Sequence, residues 1–119
     1  MPRAIVLLTS IGTPKPLALA GGAEFTFDGH RYRLQALRDD DGEQLFFPFT
    51  DRTSGRESYG GARYLFVEPP QGKRIVLDFN LAQNPPCAFT AHVVCPLAPV
   101  GNRLELEVTA GEKNYVGPR

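Results

Sequence analysis

The sequence has no excess charge of either sign and no long hydrophobic run. Lys plus Arg and Asp plus Glu each number 13 in the 119 residues, so the formal net charge is zero. This balance lacks the basic footprint of proteins that bind nucleic acid or an anionic membrane surface. The apolar run at 4–8 is far shorter than the roughly 20 residues of a membrane span, and too short for a signal peptide. We therefore predict a cytoplasmic protein that binds neither nucleic acid nor membrane.

Signatures of metal sites, cofactor sites and phosphate-binding loops are also lacking. The two cysteines and two histidines show no CxxC or HxxxH spacing, so no metal site is predicted. Neither GxxxxGK[ST] nor a strand followed by GxGxxG occurs, and no cofactor is predicted. Cysteines in a reducing compartment favour buried free thiols. A disulfide between Cys87 and Cys95 stays an alternative, because the chain would have to fold back to join positions eight apart.

The sequence also lacks the periodicity of amphipathic helices. Apolar residues instead alternate with polar residues with a period of two. No window of about eleven residues or more carries the apolar stripe of an amphipathic helix. In EFTFDGHRYRLQAL at 24–37, Phe25 and Phe27 alternate with polar residues, and so do Tyr32 and Leu34 further on. The dipeptide at 28–29 is Asp-Gly, which suits the positive φ angles of a tight hairpin turn. The segment therefore predicts a β-hairpin.

Short alternating or apolar runs, separated by turn residues, continue along the chain. They predict further strands at 6–9, 17–20, 44–49, 62–68, 73–80 and 102–109, with Asp41-Gly42 closing a second turn. Pro48 cannot donate to a ladder, so its strand is expected at a sheet edge or to end there. About eight short strands in a single domain, residues 1–119, predict an all-β fold. The expected architecture is a small antiparallel barrel or sandwich with long motif-bearing loops.

Polar and aromatic residues concentrate in the loop before Arg63 and in the segment 78–84. Asp78 and Asn80 share a face if their segment is a strand. Arg63 would pair with Asp78 or Asp51 as structure, or bind an anionic ligand, because a guanidinium group suits carboxylate and phosphate. Glu112 would pair with an arginine or lie in solvent. We predict a pocket for a small polar or anionic molecule, lined by Asp51, Tyr59, Arg63, Tyr64, Asp78, Asn80 and Asn84.

Two other classes of function stay open. An enzyme, a hydrolase or transferase, would use Cys87 as nucleophile beside His92, with Asp78 or Asn84 orienting the imidazole, or Asp78 alone in acid–base chemistry. None of the local signatures of known cysteine enzymes is present in the sequence. A structural or protein-interaction module would use the same motif residues only to build the fold. Homo-oligomerisation is compatible with each of these functions.

Three segments carry a resemblance to a known family. LFFPFTDRTSGRESYGGARYL, VLDFNLAQNPPCAF and CPLAPVGNRLELEVTAGEK, which run in order from 45 to 113, resemble the prokaryotic domain of unknown function 1684. The weaker pattern of Gly and Phe at 9–37 is similar to it as well. The resemblance implies no established chemistry, only that these motif loops are shared.

The sequence departs from that family's pattern at two places. Members usually carry an additional N-terminal segment rich in Trp, Gly and Leu, so the resemblance implies an open pocket here or one that a partner completes. Members also tend to have Arg followed by Ala-Tyr where this chain has Leu81, Ala82 and Gln83. An activity that depends on that Arg and Tyr is not expected in this chain.

Overall fold

The computed structural model describes residues 3–9, 14–38, 43–90, 93 and 95–113. Five strands, hydrogen-bonded in chain order, form one antiparallel sheet: β1 Arg3–Leu8, β2 Pro14–Phe27, β3 His30–Arg38, β4 Leu45–Phe49 and β5 Arg63–Val67. Three single-turn 3-10 helices follow, at Phe79–Leu81, Pro86–Ala88 and Val100–Asn102. The all-β prediction is confirmed as a mostly-β antiparallel sheet. An eight-stranded barrel or sandwich is not confirmed.

The predicted hairpin is confirmed as the turn between β2 and β3. Asp28 and Gly29 have φ angles of 51° and 78°, and Phe27 pairs with His30 across the turn. Two left-handed residues give the twist that a two-residue hairpin needs. Phe27 was expected to alternate inward, but 59% of it is exposed, because the hairpin tip extends past the core. The second predicted turn, Asp41-Gly42, lies outside the described residues.

Of the two alternatives for the strand with Pro48, the edge position is wrong, while β4 does end close to Pro48, at Phe49. All five residues of β4 are buried, and β4 lies between β3 and β5. The β3–β4 register holds one pair, Leu37 with Phe46, and Pro48 lies past it, where the two strands separate. The missing N–H of Pro48 therefore costs the ladder no hydrogen bond.

An asparagine side chain joins β3 to β4 where the ladder stops. Asn102 is fully buried, and its Oδ1 accepts from the backbone N–H of Gln35 at 2.6 Å. Its Nδ2 donates to the carbonyl oxygens of Gln35 and Pro48 at 3.0 and 2.9 Å. Its amide thus substitutes for a peptide group, and three buried backbone groups are satisfied.

The two segments predicted as the last strands form no ladder in the described structure. In 73–80, Ile75 and Leu77 pack against the core while Val76 is 79% exposed. In 102–109, Leu104 and Val108 are buried and the residue midway between them is half-buried. The residues at 105 and 107 are exposed. The inward and outward alternation was therefore predicted correctly. Neither segment forms a named strand: 73–80 packs its apolar residues on the core, and 102–109 pairs with the chain after β4 only through an isolated parallel bridge at Thr50 and Arg103.

Apolar side chains pack on both faces of the sheet. One cluster contains Leu34, Phe47, Phe49 and Leu65 and is covered by residues from 75–82 and 104–108. The other contains Leu37, Phe46 and Tyr64 and includes Cys87 and Cys95 from the loop after β5. The helices of the described residues are all too short to cross a membrane. The sheet is thus enclosed by irregular chain, and the loops carry the polar motifs.

Candidate functional site

Arg63, the first residue of β5, is buried with Asp51 as an ion pair. Nη1 of Arg63 lies 3.4 Å from Oδ2 of Asp51, and the two side chains are 1% and 0% exposed. Asp51 also accepts hydrogen bonds from the hydroxyls of Thr53 and Ser54 and from the backbone N–H of Val108 at 2.6 Å. Of the two carboxylates expected for Arg63, the structure supplies Asp51.

The same guanidinium holds the end of the described chain in place. Nη1 donates to the carbonyl of Val108 at 2.7 Å, and Nη2 to those of Ala110 and Glu112 at 2.5 and 3.4 Å. Its carbon lies 5.5 Å from the ring centre of Phe49. Burial lowers the pKa of Arg63, while the adjacent Asp51 raises it. These contacts surround the guanidinium with protein, so Arg63 acts here as a structural cation.

Asp78 and Asn80 lie together on the surface, apart from that ion pair. Oδ1 of Asp78 accepts from the backbone N–H and from Nδ2 of Asn80, each at 3.1 Å, and so caps the turn Phe79–Leu81. Both side chains are exposed. The shared face expected from strand geometry is replaced by a cap, because the segment turns at 78.

Asn84 forms hydrogen bonds with the last residues that the structure describes, Glu112 and Lys113. Its backbone N–H donates to Oε1 of Glu112 at 2.7 Å, and its Nδ2 donates to the carbonyl of Lys113 at 2.8 Å. Its Oδ1 is buried and has no hydrogen-bond partner in the described part of the chain. The carboxylate of Glu112 therefore accepts from a loop amide, and no arginine of the described residues forms an ion pair with it.

The two predicted tyrosines belong to the core. Tyr64 is 6% exposed, packs edge-on against Phe46 at 4.7 Å between ring centres, and donates to the carbonyl of Pro96 at 2.6 Å. Tyr59 is half-buried and packs against the same cluster. Through its hydroxyl, Tyr64 holds the loop that carries the cysteines.

The expectation of free thiols is wrong, since Cys87 and Cys95 form a disulfide. The turn Pro86–Ala88 folds the chain back and brings their Cα atoms to 6.2 Å, within the reach of about 7 Å for a bridge. A disulfide sulfur is not a thiolate nucleophile. His92, the partner expected for a thiol mechanism, lies outside the described residues. Within the described residues, no group of three or more His, Cys, Asp and Glu could hold a metal ion.

The predicted ligand residues thus form no single pocket, although Arg63 and Asn84 both bind Glu112. Asp51 and Arg63 are in the buried ion pair, Tyr59 and Tyr64 in the core, and Asn84 against Glu112. Asp78 alone among them lines a cavity of about 510 Å³, between β5 and the segment 74–81. Its walls are mostly apolar, with Leu65, Val67, Ile75 and Leu81 among them.

A second cavity, of about 580 Å³, has a different character. It is lined by His30, Arg31, Tyr32, Arg33, Arg52, Arg103, Leu104 and Glu105. We call it the arginine cleft. Four arginines from three separate chain segments line it with one glutamate, in a chain whose formal net charge is zero. The guanidinium of Arg33 lies over Gly22 of β2, so this side chain reaches away from the cleft. Against Glu105 and the neighbouring Glu24, these four arginines leave a local excess of positive charge, which attracts anions.

Two of the four arginines already have weak partners. Arg33 lies 3.6 Å from Glu24, and Arg52 lies 3.5 Å from Glu105. All four of these side chains are more than half exposed, so each pair contributes between about 0 and 1 kcal/mol. Arg31 and Arg103 form no ion pair within the described residues.

The arginine cleft exists because β3 and β4 diverge. β3 continues past its single register pair with β4 toward the hairpin, while the chain after β4 pairs with another segment. The backbone N–H of Leu104 donates to the carbonyl of Thr50 at 2.8 Å, and Thr50 donates back to Asn102 at 3.1 Å. One wall is therefore β3 and the other wall is the pair 50–52 and 103–105.

The sequence carried only part of the signal for this cleft. Arg31 and Arg33 alternate on the confirmed hairpin, which placed them on one face of a strand. Nothing in the sequence connected them with Arg52 or Arg103, because a parallel pairing between distant segments brings those two residues in. Asn102, which closes the inner end of the gap, follows a glycine and reads as an ordinary turn residue.

Comparison with known proteins places the chain in a family without assigning a function. No curated protein matches it. The solution NMR structure of an uncharacterized protein from Haloarcula marismortui matches with a TM-score of 0.74 and 39% sequence identity, over 95% of this chain. This chain spans 64% of the length of that protein. The sequence model of the family of proteins of unknown function DUF1684 matches residues 1–113, and the chain belongs to that family.

Proposed function

We propose that this protein is a binding module for an anionic ligand, and that the ligand binds in the arginine cleft. The convergence of Arg31, Arg33, Arg52 and Arg103 on one cavity carries the proposal. The predicted ligand class is kept, while the residues that bind it differ from those expected from the sequence.

Arginine chemistry favours carboxylate or phosphate groups. A guanidinium group offers a planar fork of donors that matches two oxygens of either group. Arg31 and Arg103, without ion pairs in the described chain, are available as first contacts. Arg33 and Arg52 could exchange their exposed glutamates for a ligand at little cost, since such pairs contribute almost nothing in water.

Electrostatic binding of this kind has a recognisable salt dependence. Exposed charges are screened over about 8 Å at physiological ionic strength and over about 30 Å at 0.01 M. Affinity for a multivalent anion should therefore fall as salt is added. A ligand bound through apolar contacts would not show this dependence.

Titration with inorganic pyrophosphate and with citrate, followed by amide shifts in NMR spectra, tests the proposal. We expect the largest shifts at 30–33, 52 and 103–105, and at least tenfold weaker binding in the double variant Arg31→Gln, Arg103→Gln. Arg74→Gln, an exposed arginine outside the arginine cleft, is the matched control. If neither anion binds at low salt, or if the control weakens binding as much, the proposal is wrong.

A second candidate is a small polar ligand in the cavity beside β5. Asp78 supports it, because this residue is exposed and lines a cavity whose walls are mostly apolar. Apolar walls with few polar groups are typical of ligand sites. A cationic ligand would suit the carboxylate of Asp78 and that of Glu68, and it would share the cavity with Arg74. Binding of a small amine that is lost in Asp78→Asn and kept in Asp28→Asn, at the distant hairpin tip, would support this site instead.

A further inference from the structure

We propose that the ligand of the arginine cleft is an acidic peptide in extended conformation, which adds to the free edge of β3 as a further strand. This inference rests on the proposed function, because it assigns the partner of the same site. Its basis is a second observation, the direction of the backbone groups of β3.

The hairpin fixes which backbone groups face the cleft. Phe27 and His30 flank the two-residue turn, and residues in that position exchange both backbone hydrogen bonds. Residues 30, 32 and 34 therefore bond to β2, and the alternate residues 31, 33 and 35 point their N–H and C=O groups to the other edge. The contacts of Gln35 agree, since both its backbone groups bind Asn102 on that side.

Among the residues that the structure describes, no strand lies beside this edge beyond Gln35. The register with β4 ends at the pair Leu37 and Phe46. In the described part of the chain, the edge-facing N–H and C=O groups of Arg31 and Arg33 have no hydrogen-bond partner. An unpaired edge is a template for an added strand. The arginine cleft lies directly along it.

Asn102 already provides the first bonds of such an added strand. Its side-chain amide accepts from the N–H of Gln35 and donates to the C=O of Gln35, as a neighbouring peptide group would. A peptide entering the cleft would continue this pattern at Arg33 and Arg31. These two residues lie about 6.6 Å apart along the strand, so four or so peptide residues would cover the edge.

The side chains along the edge select an acidic peptide. Arg31 and Arg33 project to one face of β3, so alternate residues of an added strand would lie opposite them at about 5 Å between Cβ atoms. Glu or Asp opposite Arg31 would pair with its guanidinium group, and Arg52 and Arg103 line the same cleft. The guanidinium of Arg33 lies over Gly22 beside Glu24 and would have to turn away from β2 to pair with the peptide. The edge strands β1 and β5 of this chain contain no acidic residue, so pairing by a second copy through either of them lacks this complementarity.

Binding of synthetic peptides measured by fluorescence anisotropy tests the inference. The probe is an amidated heptapeptide with glutamate at alternate positions and valine between them. Two matched controls carry N-methyl groups, one at the glutamates and one at the valines, because only one set of amides faces β3. We expect one methylated peptide to bind at least tenfold more weakly, with net charge unchanged. Equal binding of all three peptides overturns the inference.

Hydrogen exchange and the cleft variants provide an independent reading. The bound probe peptide should slow amide exchange at Arg31 and Arg33, whose N–H groups become bonded. Arg33→Gln should weaken binding of the peptide, and Arg74→Gln should leave it unchanged. Binding of pyrophosphate or citrate without binding of the peptide overturns this inference and leaves the proposed function intact. Failure of the peptide and of both small anions overturns both proposals.

Discussion

Replacement of Arg63 by methionine tests whether the buried ion pair organises the loops around β5. The side chain is 1% exposed, and its guanidinium bonds to Asp51 and to the carbonyls of Val108, Ala110 and Glu112. Methionine keeps much of the apolar volume but removes the charge and every donor. Asp51 is then left as a buried carboxylate without its cation.

The cost follows from that uncompensated charge. Removing one partner of a buried ion pair destabilises a protein by about 3–5 kcal/mol. The whole free energy of unfolding of a domain this size is of the order of 5–15 kcal/mol. At about 4 °C for each kcal/mol, the melting temperature should fall by roughly 12–20 °C. Asp51→Asn should restore part of the loss in the double variant, because the unpaired charge is then absent.

Urea denaturation and thermal melting followed by circular dichroism provide the measurement. Arg56→Met is the matched control, since Arg56 pairs with Glu107 at 3.1 Å but both side chains are more than half exposed. We expect this control to change the free energy of unfolding by less than about 1 kcal/mol. If Arg63→Met costs no more than the control, or if Asp51→Asn adds its full effect in the double variant, the ion pair does not have the role described here.

The remaining predictions concern Asn102 and the disulfide. Asn102→Ala should lower the free energy of unfolding by about 3 kcal/mol or more, because three buried backbone groups lose a hydrogen bond. Asn80→Ala, at an exposed position, should lower it far less. A loss below about 1 kcal/mol in Asn102→Ala, measured by urea denaturation, would contradict the bridging role. Reduction of the bond between Cys87 and Cys95 should lower the free energy of unfolding by about 2.5 kcal/mol, from the entropy of an eight-residue loop. Iodoacetamide should label both cysteines only after reduction, and labelling of the untreated protein would refute the disulfide.

Local chemistry determined what sequence reasoning predicted well. Asp28-Gly29 specified a tight turn, and the alternation beside it specified the pairing of β2 with β3, because both depend only on neighbouring residues. Alternation at 102–109 specified which side chains are buried. It could not specify a ladder, because a segment that packs on a sheet face shows the same pattern as one that pairs at an edge.

The chain alone thus determined the mostly-β class, the hairpin and the buried positions, since turn chemistry and period-two burial are local properties. Only the tertiary structure decided which groups meet. It gave Arg63 the carboxylate of Asp51 and brought Arg103 beside β3, and it closed the disulfide across a turn. Those outcomes depend on how loops connect distant segments in space. The identities of the residues at the two ends of a loop do not determine that path.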